Sequence, residues 1–288
     1  MRFAVEDETI RRCIEAGDYR HAEKILKDRV DQYSREGNNE RLAQTCWLMA
    51  WVHNSEGRTV EEIAALQNAV RCQPEFCLAV AGWGAALGDL ASTKRGAEQD
   101  ALFNQAFEKF SKALEIKPDF HEALYNWGCG LSALALTKSG AEQEALFHQA
   151  FEKFAAALEI KRDKYEALYN WGAALGDLAA TKRGAEQVEL LELACEKVAA
   201  AIEIATAQDD QETVAFCCAH WIHQMLQRCT LAVEADNAGQ ARQLFTQALE
   251  RWPQAEREHA LTVLANFFLR VASEQAAPLC RELFETLA

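Results

Sequence analysis

The chain has 288 residues, half of them hydrophobic, with only four prolines and a formal net charge of −14 at pH 7. That length can bury a large core in one or two domains, and the acidic balance disfavours generic binding to nucleic acid or to an anionic membrane, since both need a positive surface. Ala, Leu, Glu, Gln and Lys dominate while alternating Val, Ile, Thr and aromatic stretches are nearly absent, so the composition indicates an all-α protein.

The opening MRFAVEDETIRR lacks the apolar core of a secretory signal. The longest uncharged stretches, such as 123–137, fall short of the roughly 20 apolar residues of a membrane span. Of the ten cysteines, most sit among apolar neighbours in helical patterns, for example Cys46, Cys129 and Cys195. Reduced thiols serving as small core residues account for them. The expectation is a soluble, cytoplasmic protein.

Taken in order, residues 1–39 read as a degenerate helical hairpin around Gly17 and Ala22. Residues 40–76 form a hairpin of ordinary length, with Ala50, Gly57, Leu66, Ala69 and Pro74 in register. Residues 77–208 then hold three near-copies, about 77–120, 121–164 and 165–208. Their tryptophans, Trp83, Trp127 and Trp171, are each followed by Gly and recur every 44 residues. In the middle copy Leu124, Trp127, Gly128 and Leu131 make one apolar stripe, and Phe147, Ala150, Phe151, Phe154, Ala157 and Leu158 make the matching one. Both have the i, i+3, i+4, i+7 spacing of amphipathic helices, so each copy is a hairpin.

Between the two helices stands TKRGAEQ at 93–99 and 181–187, or TKSGAEQ at 137–143. A phosphate-gripping loop needs a preceding strand and the fuller pattern G-x-x-x-x-G-K-[ST], and neither is present. As a turn the motif is self-consistent. Lys and Arg suit the end of the first helix, Gly96, Gly140 and Gly184 take the left-handed conformation that stops it, and Glu suits the start of the second. Stacked copies would align Lys94, Arg95, Lys138, Lys182 and Arg183 as a basic ridge, a candidate contact for an anionic partner. Further on, residues 209–254 pair QETVAFCCAHWIHQMLQRCTLAV with GQARQLFTQALERWP as a repeat-like hairpin, with Ala241, Phe245, Ala248 and Pro253 in register. Residues 255–288 form a capping hairpin whose VLANFFL (263–269) reads as core rather than as a docking patch.

The chain resembles the tetratricopeptide repeat (TPR) family, whose pattern is W-x₂-L-G-x₂-Y…A-x₃-F…P over 34 residues. Here the middle copy has Leu124-x₂-Trp127-Gly128-x₂-Leu131, then Ala150-x₃-Phe154 and Ala157. The copy before it has Val80-x₂-Trp83-Gly84-x₂-Leu87, Ala106-x₃-Phe110, Ala113 and Pro118, and the third has Ala194-x₃-Val198. The large and medium apolar positions are exchanged, and each copy carries about ten residues more than the family repeat. That extra length is expected to add about a turn and a half to both helices and so to wall a deeper channel. The resemblance implies one continuous right-handed α-solenoid of about seven stacked antiparallel hairpins, spanning residues 1–288. It further implies that the first helix of each hairpin lines a concave surface.

A second stripe on those first helices supports a working face. It comprises Tyr125, Cys129 and Ser132, with equivalents Tyr169, Ala173 and Gly176, and Ala81, Ala85 and Gly88. A solvated helix face usually carries Lys and Glu, so small residues with tyrosines suit a floor that another chain approaches. Beside it lie Asn126 and Asn170, then Asp89 and Asp177. On the functional reading Tyr supplies apolar area, Asn amides bond a peptide backbone, a role the resemblance also implies, and Asp selects basic side chains. On the alternative reading Tyr and Asn tie adjacent hairpins together. The carboxylate-clamping Lys and Arg of chaperone-tail receptors in this family are absent from the matching positions.

No H-E-x-x-H, G-x-S-x-G or nucleotide fingerprint occurs. Cys217, His220 and His223 fall at steps of three on one helix face, yet without a second spaced pair they read as structural rather than as zinc ligands. The sequence therefore predicts no enzyme activity, cofactor or metal. It predicts a protein–protein interaction module, an adaptor, chaperone or regulatory subunit, that binds a peptide or protein segment, basic ones included, in its concave channel. Two alternatives stand beside it. One is a structural subunit that self-associates or assembles a larger complex through its ends or outer face, which substitution of Phe267 and Phe268 would disrupt. The other, weaker on charge, is a nucleic-acid-associated subunit using the basic ridge, which would bind with steep salt dependence.

Overall fold

The computed structural model describes residues 8–234 and, beyond them, 239, 240, 243, 244 and 247. The expected capping hairpin at 255–288 and its VLANFFL segment lie outside the described residues. Those described form eleven α-helices, and the chain divides into two compact units, Met1–Ile160 and Lys161–Ala288.

In the first unit the helices pair in chain order. Helix α1 (Glu8–Glu15) precedes α2 (Tyr19–Glu36), and α3 (Asn39–Ser55) packs on α4 (Thr59–Cys72). Helix α5 (Cys77–Ser92) packs on α6 (Gly96–Ile116), and α7 (His121–Ala135) on α8 (Gly140–Ile160). In the second unit α9 (Tyr165–Ala179) packs on α10 (Ala185–Ala207), which packs in turn on α11 (Gln211–Glu234). The first unit is thus a stack of antiparallel helical hairpins, and the described part of the second is one such hairpin with α11 packed on it, the all-α hairpin architecture the sequence predicts. Polar caps mark several starts: the Asp18 carboxylate accepts from His21 N–H and the Asn38 amide oxygen from Arg41 N–H, both at 3.1 Å.

The Trp-Gly step sets how closely the helices of each repeated hairpin approach. A Cβ on Gly84 would lie 2.8 Å from Phe110 Cε1, and one on Gly128 2.7 Å from Phe154 Cε1. At Gly172 it would lie 2.5 Å from Val198 Cγ2 and 3.0 Å from the Ala194 carbonyl. The small and large members of the second-helix pattern A-x₃-F/V are therefore what the glycine receives. Ala106, Ala150 and Ala194 are fully buried, and Phe110, Phe154 and Val198 nearly or fully so. The neighbouring tryptophan rings are covered by a lysine of the partner helix. Lys109, Lys153 and Lys197 place Nζ 4.1 Å from the centroids of Trp83, Trp127 and Trp171 respectively.

Two expectations about the long copies are corrected. The extra residues lengthen only the second helix: α6, α8 and α10 have 21, 21 and 23 residues against 14 in α4. The first helices α5, α7 and α9 have 16, 15 and 15, no longer than the 17 of α3. The added turns start in GAEQ, whose Ala, Glu and Gln favour helix, so the inner helices gain no height. The glycines, in turn, open the second helix rather than stop the first. Gly96, Gly140 and Gly184 have φ of +62°, +63° and +67°, and Gly184 pairs this with ψ −140°, a region open essentially to Gly alone. The preceding helix is closed by its threonine: the hydroxyls of Thr93, Thr137 and Thr181 donate to the carbonyls of Leu90, Leu134 and Leu178 at 2.7 Å each.

The Gly128 contact predicts a sharp contrast between two glycine substitutions. Gly128→Ala drives a methyl into the fully buried Phe154 ring and is expected to cost about 1–3 kcal/mol. Gly88→Ala, inside α5 with nothing within 4 Å of the added Cβ, is expected to stabilise by about 0.5–1 kcal/mol. Thermal unfolding followed by circular dichroism should show Tm shifts of opposite sign; equal shifts would contradict the close-approach account.

Candidate functional site

A cavity of about 1150 Å³ opens within the first unit. Helix α3 presents Gln44, Trp47, Trp51 and Asn54 to it, α5 presents Leu78, Ala81, Gly82, Ala85 and Asp89, and α7 presents Glu122 and Asn126. Ile10 of α1, Arg29 and Tyr33 of α2, Glu62 of α4 and Phe76 also line it. First helices of consecutive hairpins thus supply most of the lining, because the second helices turn their Ala-x₃-Phe stripes into the hairpin cores. Several aromatics are fixed by neighbours. Trp51 meets Tyr19 edge-on at 6.1 Å between centroids, Trp47 lies 6.0 Å from Phe76, and the Arg41 guanidinium lies 5.8 Å from the Tyr33 centroid.

Glu62 is the unusual group of this wall. It is only 7 % exposed, and its Oε2 accepts from Asn54 Nδ2 at 3.1 Å. Burial pushes its carboxyl up to about 7, opposed by the Asn54 bond and reinforced by the negative charge of Asp89. Asp89 itself is solvent-accessible where it enters the cavity, and partial desolvation by the surrounding walls raises its pKa also. By contrast Glu23, on α2, is held down to about 2 by hydrogen bonds from Arg58 at 3.0 Å and Lys27 at 2.7 Å.

The residues singled out from the sequence separate by unit. Asp89 and Asn126 lie on the cavity wall. The ring of Tyr125 lies 6.3 Å from that of Phe154 in its own hairpin. Ser132 buries its hydroxyl without a hydrogen-bond partner among the described residues. In the second unit Tyr169 packs on α11, its ring 4.9 Å from Phe216 and 5.1 Å from His220. Asn170 Nδ2 donates to the Glu166 carbonyl of its own helix at 2.9 Å, and Asp177 is exposed. The small residues of α9 admit α11: Gln224 donates to the Gly172 carbonyl at 3.0 Å, and its Nε2 would lie 3.2 Å from a Cβ on Gly176. On α5 the equivalent small residues, Ala81 and Ala85, line the open cavity instead.

The lysines of the basic ridge have carboxylate partners four residues on, and Lys138 has a second one on α6. Lys94 pairs with Glu98 at 3.1 Å, Lys138 with Glu142 at 3.6 Å and with Asp100 at 2.7 Å, and Lys182 with Glu186 at 2.7 Å. Arg95 and Arg183 are exposed. In the Cys-His segment Cys217 is buried, and burial pushes its thiol up to about 11. His220 Nε2 lies 3.0 Å from Gln224 Nε2. Among the described residues no group of three or more His, Cys, Asp or Glu converges as a metal site, and no helix is long and apolar enough to cross a membrane.

Sequence reasoning missed Tyr33, Trp47, Trp51 and Glu62. A signal was present for the tryptophans: Gln44, Trp47, Trp51 and Asn54 follow helical spacing on a face distinct from the Ala43, Cys46 and Ala50 core stripe.

The Glu62 shift carries a pH prediction. A folded pKa near 7 against an ordinary 4.5 means the native state holds a proton that the unfolded state has lost. This contribution to stability is therefore complete below about 4.5 and lost as pH rises through 7. Glu62→Gln should raise Tm at pH 8, with the gain vanishing towards pH 4.5. A pH-independent difference would show that Glu62 ionises normally.

Residues 65–167 match the model for the plant specific mitochondrial import receptor subunit TOM20. No curated protein matches the chain. Similar solved structures include MamA from Desulfovibrio magneticus RS-1, 14 % identical, with 70 % of this chain and 93 % of that one covered at a TM-score of 0.49. TTC0263, a thermophilic TPR protein of Thermus thermophilus, is 13 % identical over 80 % of this chain and 96 % of its own, at 0.48. YrrB, a TPR protein with an unusual peptide-binding site, is 16 % identical over the same shares, at 0.47. With antiparallel hairpins in chain order and the glycine of each repeated first helix seated on the A-x₃-F/V stripe of the second, the chain is an α-helical repeat protein built of such hairpins.

Proposed function

We propose that the chain is a non-enzymatic binding module that holds a segment of another protein in the cavity of its first unit. The observation that carries this reading is the cavity itself, about 1150 Å³, walled by first helices and combining aromatic faces with a few polar groups. Small side chains at Ala81, Gly82 and Ala85 let a partner backbone come close, Trp47 and Trp51 offer apolar area, and Gln44 and Asn126 offer amides. The match of residues 65–167 to an import receptor subunit supports a receptor-type role. Asp89, Asn126, Tyr125 and Ser132 are the contact residues proposed from the sequence for this unit. Tyr169, Asn170 and Asp177 are proposed as a second set on the other unit. An adaptor, chaperone or regulatory subunit would each use such a cavity in this way.

The test blocks the cavity. Ala85→Trp fills it from α5, while Lys112→Ala alters an exposed position of α6 whose side chain pairs with Glu115. Proteins captured from a lysate of the source cell by the wild type are identified, and the principal one is purified and titrated against all three forms after circular dichroism confirms folding. Ala85→Trp should weaken binding at least about tenfold, as expected when a central contact is lost, and Lys112→Ala should leave it unchanged. Equal affinity for all three would overturn the cavity as the binding site.

A further inference from the structure

We infer that the Glu62–Asp89 corner of the cavity receives the Lys or Arg side chain of the bound protein segment. This rests on the cavity reading above and names the chemistry of its partner. Two features point to it. The first is the state of Glu62, more than nine-tenths buried and on the cavity wall. Only its Oε2 has a hydrogen-bond partner among the described residues, the Asn54 amide, so Oε1 is unsatisfied by the protein. A buried carboxylate left without a cation is costly, and the largely buried Glu23 avoids that arrangement through Arg58 and Lys27. Glu62 and Asp89 have no ion-pair partner among the described residues, and the two carboxylates are near enough for one to raise the pKa of the other.

The second feature is the surroundings. The cationic side chains of the wall are otherwise engaged: Arg29 Nη1 donates to Gln32 at 2.9 Å, and Arg41 lies over the Tyr33 ring. Trp47, Trp51 and Phe76 supply faces on which an aliphatic stem or a guanidinium plane rests. Beside Asp89, Ala85 is one turn back on α5 and Gly82 one further, so no bulky side chain of that face fills the approach. Three metal-ligating side chains do not converge among the described residues. A hydrogen-bonding organic cation therefore fits the corner better than a metal ion does, and a charge-assisted bond to the free oxygen of Glu62 would satisfy it.

The experiment uses fluorescent peptide pools, acetylated and amidated at their ends, with degenerate apolar and polar neighbours around one fixed residue. The fixed residue is Lys, Arg, norleucine, Gln or Glu, and retention is measured on immobilised full-length protein. The Lys and Arg pools should be retained at least about tenfold more strongly than the norleucine and Gln pools, with the Glu pool weakest. Glu62→Gln combined with Asp89→Asn should erase that preference, so that the Lys, Arg and norleucine pools are retained alike. Asp89→Asn alone, at an accessible position, provides the same readout should the double variant fold poorly. Equal retention of Lys, Arg and norleucine by the wild type, or an undiminished preference in the variants, would overturn the inference and leave the cavity reading standing. If the wild type holds no pool, or Ala85→Trp holds them all equally well, the cavity reading falls and the inference falls with it.

Discussion

The contact between a first-helix glycine and the large residue of the second-helix stripe is the constraint on which the repeated part depends. Because Gly84, Gly128 and Gly172 lack a Cβ, the Phe110 and Phe154 rings and the Val198 side chain press directly against backbone. That approach puts the adjacent tryptophan beside the opposite helix, where Lys109, Lys153 or Lys197 covers its ring. It also turns the apolar stripe of each second helix inward and leaves the first helix a second face. In α5 this face looks into the cavity; in α9 it receives Gln224 of α11. The same local geometry, repeated, yields an open wall in one unit and a packed interface in the other. What differs is the element that follows.

Charge is distributed with the same economy. The turn lysines neutralise glutamates four residues on, and the second-helix lysines sit over tryptophans. A basic ridge that looks available in one dimension is therefore largely internal chemistry of the turn. Carboxylates are in excess, with 44 against 30 Lys and Arg, so some must stand without a cation. Most do so in water at little cost. Glu62 does so in a wall of protein, which makes it the most chemically distinctive group of the cavity.

The fold was largely legible because repetition is visible without structure. Three tryptophans 44 residues apart, each before a glycine, reveal the copies, and the spacing of Phe147, Ala150, Phe154 and Ala157 reveals the buried stripe. Two local expectations nevertheless went astray. Helix length was divided between both helices, whereas GAEQ has the propensity to extend only the second. Glycine was assigned to stopping the first helix, whereas the threonine hydroxyl does that and the glycine permits the positive φ from which the second begins.

The candidate site was legible only in part. Asp89 and Asn126 were marked by their place beside the small-residue stripe, and they line the cavity. Trp47 and Trp51 stand outside the near-identical copies, on a hairpin without the repeated small-residue stripe, though their spacing in α3 places them on one helix face. Nothing in the sequence distinguished Glu62 from the many glutamates near helix starts, because its character comes from α3 and α5 closing over it. What the sequence by itself determined is the helical class, the hairpin period and the residues each hairpin buries, since periodicity and glycine placement act within one copy. What only the tertiary structure decided is which second faces stay open and which carboxylate lacks a cation, since burial and charge pairing depend on neighbours brought together from other hairpins.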